Sequence, residues 1–252
     1  MKWIHYLLKL YETTSQVIFG AILILLMLVL LAGCGAGSAK AGPKVFEVVK
    51  ETYTDRAISI NYPQISKMSD AEMQDRLNQL LKSEALSILN DYDAIDLEKL
   101  TVKLDYVIGR QNTELLSVQL TGSRYLKGAP YPTALFQSIN LEMQSGRKLR
   151  LQEIVQVNDQ FVETIKKGRM NAASNATFEK LRLDNGKLLK AFGQADSVAG
   201  SDNPERVFSY FTKDGLGISF SVIHALGDHV EFELPMVNLS SFITSVAENP
   251  LL

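Results

Sequence analysis

The chain is poor in the residues that build disulfides and most metal or imidazole sites. It has 252 residues with one cysteine and three histidines. One cysteine excludes an internal disulfide and a cysteine-rich zinc site, and three histidines leave little for imidazole-based catalysis. Neither sign of charge dominates, since 26 lysines and arginines stand against 28 aspartates and glutamates. This balance excludes a strongly basic nucleic-acid-binding protein, and a hydrophobic fraction of 46% excludes a wholly disordered chain.

The one cysteine stands directly after the longest apolar stretch. Residues 17–31 are apolar apart from one glycine, and a weakly positive segment precedes them. This order is typical of a secretory signal. The tetrapeptide Leu31-Ala32-Gly33-Cys34 resembles the lipobox of bacterial lipoproteins, which implies that residues 1–33 are a signal peptide and that Cys34 carries a lipid. The residues that the signal peptidase would then recognise are Leu31, Ala32 and Gly33.

An uncleaved transmembrane helix is the alternative for this segment. Its fifteen residues are short against the roughly 20 needed to cross a bilayer, but the uncharged residues 32–37 would lengthen it. Both interpretations place the remaining chain on the extracytoplasmic face of the cell membrane. Residues 34–43, rich in glycine and alanine, are predicted to form a flexible tether.

The pattern of the remaining chain predicts an α+β fold, in which an antiparallel sheet packs with two main helices. A capping box at residues 69–72 and the helical spacing of apolar residues predict an amphipathic helix over residues 70–90. Asn158 is the candidate cap of a second helix, which is predicted to continue toward residue 181. Pro63 is expected to end the first strand segment. Strands are predicted over residues 44–62, 100–108, 116–120, 135–143, 206–212, 216–224 and 229–234, and a long loop over 183–205.

Short motifs along this body resemble a family of extracytoplasmic domains of unknown function. They include Ile58-Ser59-Ile60-Asn61-Tyr62-Pro63, Gly128-Ala129-Pro130-Tyr131-Pro132 and Phe211-Thr212-Lys213-Asp214-Gly215. Such domains occur in lysozyme-sensing anti-sigma-V factors and in the non-catalytic N-terminal half of peptidoglycan deacetylases. The resemblance spans about residues 45–239 and points to a lysozyme-like protein or cell-wall glycan as ligand. We expect an N-terminal α+β module over residues 44–143 and a C-terminal helix and hairpin module over 144–252.

Four side chains are candidates for weak ligand contacts. Tyr125 and Tyr131 flank a break rich in glycine and proline, where aromatic side chains commonly meet a partner. Covering the edge of the core is the alternative role for both. His224 and His229 flank a turn that contains Asp228, but no third imidazole or cysteine ligand is near in sequence. This favours a cross-strand pair over a metal site, so no metal and no cofactor is expected.

These observations predict a non-catalytic cell-envelope lipoprotein that acts as a binding or sensing module. Its expected partners are the membrane, through the lipid anchor, and a secreted lysozyme-like protein or peptidoglycan. The sequence carries no nucleophile elbow of the Gly-x-Ser-x-Gly type. Two alternatives stay open: an envelope hydrolase that cleaves cell-wall polysaccharide with two carboxylates, and a structural partner of a membrane complex.

The variant Cys34→Ala tests the predicted lipid anchor. Cells fed radiolabelled palmitate are expected to label the wild-type chain and not the variant, because the thioether to the lipid requires the thiol. An immunoblot of the same samples controls for expression. Equal labelling of the two proteins would contradict the lipoprotein assignment.

Overall fold

A computed structural model describes residues 46–167, 184–197 and 206–244 of the chain. The predicted signal peptide, Cys34 and the predicted tether lie outside these residues. Within the described ranges, no helix is both long enough and apolar enough to cross a membrane. The chain from Pro43 to Leu252 groups as one compact unit, whose described part contains two β-sheets and six α-helices. The predicted α+β class is therefore confirmed.

The larger sheet has six strands that lie side by side in chain order. They are β1 (Glu47–Asp55), β2 (Ile58–Ser66), β3 (Leu100–Gln111), β4 (Leu115–Leu126), β5 (Thr133–Glu142) and β6 (Arg147–Lys148). All neighbours pair antiparallel except β2 and β3, which pair in parallel. The prediction of an antiparallel sheet is wrong at this one pair. Helix α1 (Ala71–Leu86) connects the two strands, and such a crossover returns the chain to the same end of the sheet.

Helix α1 begins within one residue of the predicted start, and its cap is Asp70 rather than Ser69, the first residue of the predicted capping box. The carboxylate of Asp70 accepts a hydrogen bond of 2.9 Å from the backbone N–H of Met73, which satisfies one of the unpaired donors of the first turn. The helix buries Leu77, Leu81 and Ala85 against the sheet. A 3₁₀-helix (Ser87–Asp91) and the short helix α2 (Ala94–Leu97) then lead into β3.

Strand β2 continues through Pro63, so the prediction that this proline ends the strand is wrong. The side chain of Asn78 on α1 accepts from the backbone N–H of Ile65 and donates to its carbonyl oxygen. These groups of Ile65 therefore point away from β1, and so does the backbone of Pro63 two residues earlier. The nitrogen of Pro63 lies on the side of β2 where no strand pairs with it, so the absence of an N–H breaks no hydrogen bond of the sheet. Strands accept proline at such positions.

The smaller sheet contains three antiparallel strands in chain order. They are β7 (Val207–Phe211), β8 (Gly215–Ser221) and β9 (His229–Pro235), with a 3₁₀-helix (His224–Leu226) between the last two. Helices of four to nine residues surround it: α3 (Leu151–Ile154), α4 (Asp159–Lys166), α5 (Asn185–Gly193) and α6 (Met236–Leu239). The predicted hairpin, the strand after it and the helix capped by Asn158 are confirmed, whereas continuation of that helix toward residue 181 lies outside the described residues.

The predicted long loop over residues 183–205 is wrong where α5 lies. Asp184 caps this helix by accepting from the backbone N–H of Lys187. Only three side chains of the helix, Leu188, Ala191 and Phe192, are buried. A stripe of three apolar residues inside a polar segment is too short to stand out as a helical pattern.

Two hydrophobic clusters form the core, one on each face of the larger sheet. Leu116, Val118 and Leu120 of β4 point to the cluster shared with α1. Leu115 belongs instead to the cluster shared with the smaller sheet and α3 to α6. Alternate residues of one strand thus enter both clusters. The division into modules 44–143 and 144–252 stays a prediction.

A buried group of polar side chains joins the two sheets, and we call Ser117, Ser138, Asn140, Asp196 and Ser209 the polar seam. Strand β7 is an edge strand, and its outer edge lies against the larger sheet. Ser138 and Asn140 of β5 both donate to the carbonyl oxygen of Ser209. Ser117 of β4 donates to the side-chain oxygen of Asn140 and accepts from the backbone N–H of Phe211. Side chains of one sheet therefore replace the strand that β7 lacks.

Asp196 completes this arrangement from the turn after α5. Its fully buried carboxylate accepts from the backbone N–H and the hydroxyl of Ser209, at 2.7 and 2.6 Å. It also accepts from the backbone N–H of Leu151. Burial raises the pKa of Asp196 to about 6, and the hydrogen bonds from Ser209 oppose that rise.

Replacing Asn140 by leucine tests the seam. The variant leaves the seam without one donor and one acceptor in a buried place, so the free energy of unfolding is expected to fall by about 2–4 kcal/mol. The matched control is Asn61→Leu on β2, where the side-chain bond to Thr52 is exposed. There the expected loss is under about 1 kcal/mol. Urea denaturation measures both, and equal losses would refute a special role for the seam.

The raised pKa of Asp196 predicts a pH dependence opposite to that of most carboxylates. Because the folded-state pKa of about 6 exceeds the unfolded value, folding favours the protonated acid. The stabilisation is complete below the unfolded pKa and is lost as the pH rises through about 6. The unfolding free energy of wild type minus that of Asp196→Asn should therefore decrease by up to about 3 kcal/mol between pH 4 and pH 7. A difference that does not vary with pH would contradict this assignment.

Candidate functional site

A cleft of about 410 Å³ opens along the free edge of β5. Strand β6 pairs only with Leu141 and Glu142 at the end of β5. Among the described residues, the first part of β5 therefore has no strand on the side away from β4. The walls come from both sheets and from the end of the first 3₁₀-helix. The lining residues are Asp91, Tyr92, Arg124, Thr133, Ala134, Leu135, Phe136, Arg206, Ser221, Val222 and Asp228.

Four consecutive residues of β5 line the cleft, which means that the strand presents its backbone edge. The direction of that backbone follows from two hydrogen bonds. Ala134 donates its N–H to the carboxylate of Asp228 at 2.8 Å, and Asn140 accepts from the N–H of Leu149. The backbone N–H and C=O groups of Ala134 and Asn140 therefore point away from β4. Those of Phe136 point the same way, because Phe136 is two residues from Ala134 and four from Asn140, and the direction alternates from one residue to the next.

An ion pair forms one part of the wall. The guanidinium of Arg206 lies 2.6 Å from the carboxylate of Asp91. The side chain of Asp91 keeps 13% of its surface exposed and that of Arg206 keeps 34%. The pair joins the start of β7 to the end of the 3₁₀-helix, although 115 positions separate the two residues. Each charge largely neutralises the other.

Arg124 supplies a second cation, which rests on an aromatic ring. Its guanidinium carbon lies 5.7 Å from the centre of the Tyr92 ring, within the range of a cation–π contact. Burial raises the pKa of the Tyr92 hydroxyl above its ordinary value, and the charge of Arg124 opposes that rise. Within the described ranges, no carboxylate lies within 4.0 Å of the Arg124 guanidinium.

Two of the sequence-predicted residues, Tyr131 and His224, meet beside the cleft. The rings of Tyr131 and His224 are stacked, with centroids 3.7 Å apart and planes inclined by 8°. Nδ1 of His224 lies 3.0 Å from the carboxylate of Asp228, which lines the cleft. Tyr131 keeps 47% of its surface exposed. The stack thus forms an accessible aromatic surface beside the cleft.

The other two sequence-predicted residues, Tyr125 and His229, are not among those that line the cleft. His229 on β9 packs against the ring of Phe136, and its Nε2 lies 3.3 Å from Glu231. That contact is the main cause that lowers the pKa of Glu231. Nδ1 of His229 is buried without a hydrogen-bond partner in the structure. Tyr125 is partly exposed on β4, opposite Thr101. The structure therefore does not join these two side chains in one site with Tyr131.

The cleft contains groups suited to recognition. It offers the guanidinium of Arg124, which rests on an aromatic ring, an ion pair whose charges neutralise each other, and a strand edge. It also contains a carboxylate that already accepts a hydrogen bond from Ala134. Among the described residues, no three His, Cys, Asp or Glu side chains come close enough together to hold a metal ion. The sequence interpretation missed Arg124, although the period of two in β4 places it on the face opposite Tyr125.

Comparisons with known proteins find similarity in fold only. No family model matches the chain, and no curated protein matches it. A solved structure of a DUF3298 family member from Bacteroides fragilis has 16% identity and a TM-score of 0.47, over 80% of this chain and 94% of the other. A DUF3298 family protein from Pseudomonas aeruginosa PAO1 has 12% identity and a TM-score of 0.49, over 81% and 96%. Both solved structures are of DUF3298 family proteins.

Proposed function

We propose that the protein is a non-catalytic binding module held on the outer face of the cell membrane by a lipid on Cys34. Its ligand is a secreted lysozyme-like protein or cell-wall glycan, and the cleft along β5 is the binding site. The observation that supports this proposal best is the combination of an open strand edge with the guanidinium of Arg124. Backbone groups and a charged side chain on rigid elements are typical of recognition sites.

The charged groups of the cleft also favour binding over hydrolysis. A glycoside hydrolase of the common type needs one carboxyl group that donates a proton and a second that acts as base or nucleophile. The carboxylate of Asp91 is paired with Arg206, and that of Asp228 contacts His224 and accepts from Ala134. Both carboxylates are therefore engaged within the chain. The envelope hydrolase and the structural partner of a membrane complex stay alternative predictions.

A capture experiment tests the proposed function. The full chain in detergent micelles is expected to be retained by immobilised lysozyme or by insoluble peptidoglycan. The variant Thr133→Trp places a large ring among the residues that line the cleft and should lower retention at least about tenfold, equivalent to about 1.4 kcal/mol. The matched control is Thr101→Trp, a half-buried threonine of the same sheet outside the lining of the cleft.

The possible results distinguish a wrong choice of ligand from a wrong choice of binding site. Retention by neither material would overturn the choice of ligands, and equal retention of wild type and Thr133→Trp would overturn the choice of the cleft. Circular dichroism of each variant checks that the fold is kept.

A further inference from the structure

The edge of β5 inside the cleft is open over a short stretch. The N–H of Ala134 at one end is occupied by Asp228, and the carbonyl of Asn140 at the other end is occupied by Leu149. Ser138, two residues before Asn140, belongs to the polar seam and is buried. Phe136 stands between these positions, and its N–H and C=O point into the cleft. Backbone groups of this kind are strong hydrogen-bonding groups that require a partner.

The shape of the opening suits an extended chain. The four lining residues of β5 span about 13 Å at the usual rise of a strand. A segment of three or four residues in extended form matches that length, and the cleft volume of about 410 Å³ lies within the range of small binding sites. A peptide backbone offers N–H and C=O groups with the spacing of a strand, whereas a saccharide does not. The edge therefore favours a peptide over a glycan chain.

The charge of the cleft selects among peptides. Asp91 and Arg206 neutralise each other at 2.6 Å, and Asp228 contacts His224 and Ala134. Arg124 contacts the ring and the hydroxyl of Tyr92, and neither of these groups carries a negative charge while the hydroxyl is protonated. A guanidinium binds a carboxylate through two parallel hydrogen bonds, and a partly buried site strengthens them. An acidic side chain on the peptide is the complementary group.

We infer that the cleft binds an extended acidic peptide segment, which pairs with β5 at Phe136 and places a carboxylate on Arg124. This inference rests on the proposed function and names the part of the ligand that the site recognises. Addition of a strand to an open edge supplies affinity through main-chain bonds, and the charged contact supplies selectivity. A surface segment of a secreted protein and a free peptide share this chemistry.

Calorimetric titration of the full chain in detergent micelles tests the inference. The probe is the peptide acetyl-Thr-Val-Glu-Val-Thr-amide, and its partner probe has glutamine in place of glutamate. The glutamate peptide is expected to bind at least about tenfold more tightly, because only its side chain can pair with Arg124. Absence of binding of the glutamate peptide, or equal binding of the two peptides, would overturn the inference.

N-methylation of the peptide tests the strand pairing separately from the charge. Alternate N–H groups of an added strand point to β5 or away from it. Methylation of the one N–H that donates to the carbonyl of Phe136 is therefore expected to weaken binding at least about tenfold, and methylation of the N–H groups on either side of it to change binding very little. Equal losses at neighbouring positions would contradict pairing with the edge of β5.

Variants of the protein complete the test. Arg124→Gln should lose the preference for glutamate over glutamine, and Arg124→Lys should keep part of it, since a point charge remains without the planar fork. The matched control is Arg110→Gln on β3, outside the cleft lining, which should bind as wild type does. If the chain captures lysozyme or peptidoglycan but binds no peptide, the inference fails while the proposed function stands. If it binds the glutamate peptide but captures neither material, the peptide site stands and the named ligands fail.

Discussion

The structure depends on satisfying the outer edge of β7 inside the protein. An edge strand carries a row of N–H and C=O groups, and burying them without partners costs free energy at each group. Ser209 and Phe211 find their partners in the side chains of Ser117 and Asn140 on the larger sheet. The approach is close enough that a Cβ atom at Gly109 would lie 2.1 Å from the carbonyl oxygen of Phe211. The position of the smaller sheet is therefore set by hydrogen bonds as well as by apolar packing.

This position in turn creates the cleft. Arg206 directly precedes β7, so the seam that holds β7 also places the guanidinium of Arg206 near Asp91. The loop between β8 and β9 is held in the same way, because Asp228 accepts from Ala134 on β5. Each wall is thus tied to the larger sheet by at least one polar contact. A binding site built from such anchored elements needs little ordering when a ligand arrives.

Local patterns predicted the elements of the fold better than their arrangement. Asn158 caps a helix as its sequence context indicates, and the cap of α1 lies one residue from the predicted one, because a cap acts within four residues. Parallel pairing of β2 with β3 and the continuation of β2 past Pro63 depend on contacts with α1, which no local pattern contains. Helix α5 was missed because its buried stripe is short.

The candidate site shows the same limit more strongly. Residue type and turn context indicate Tyr131 and His224 separately, and the two rings stack on each other although 93 positions separate them in the sequence. No sequence spacing indicates that Arg124, Asp91 and Arg206 would line one cleft. Their proximity follows from the topology of two sheets and from the polar seam between them. The charged residues that line such a site can be identified only when the arrangement of the distant strands is known.

The cleft has walls from two sheets that separate when the protein unfolds. A ligand that touches both walls binds the folded chain and not the unfolded one, so its binding free energy adds to the stability of the fold. At a free concentration one hundred times the dissociation constant, this addition is about 2.7 kcal/mol. A ligand should therefore raise the melting temperature of the protein. Unfractionated cell-wall digests or secreted proteins can be screened for this rise before any ligand is known.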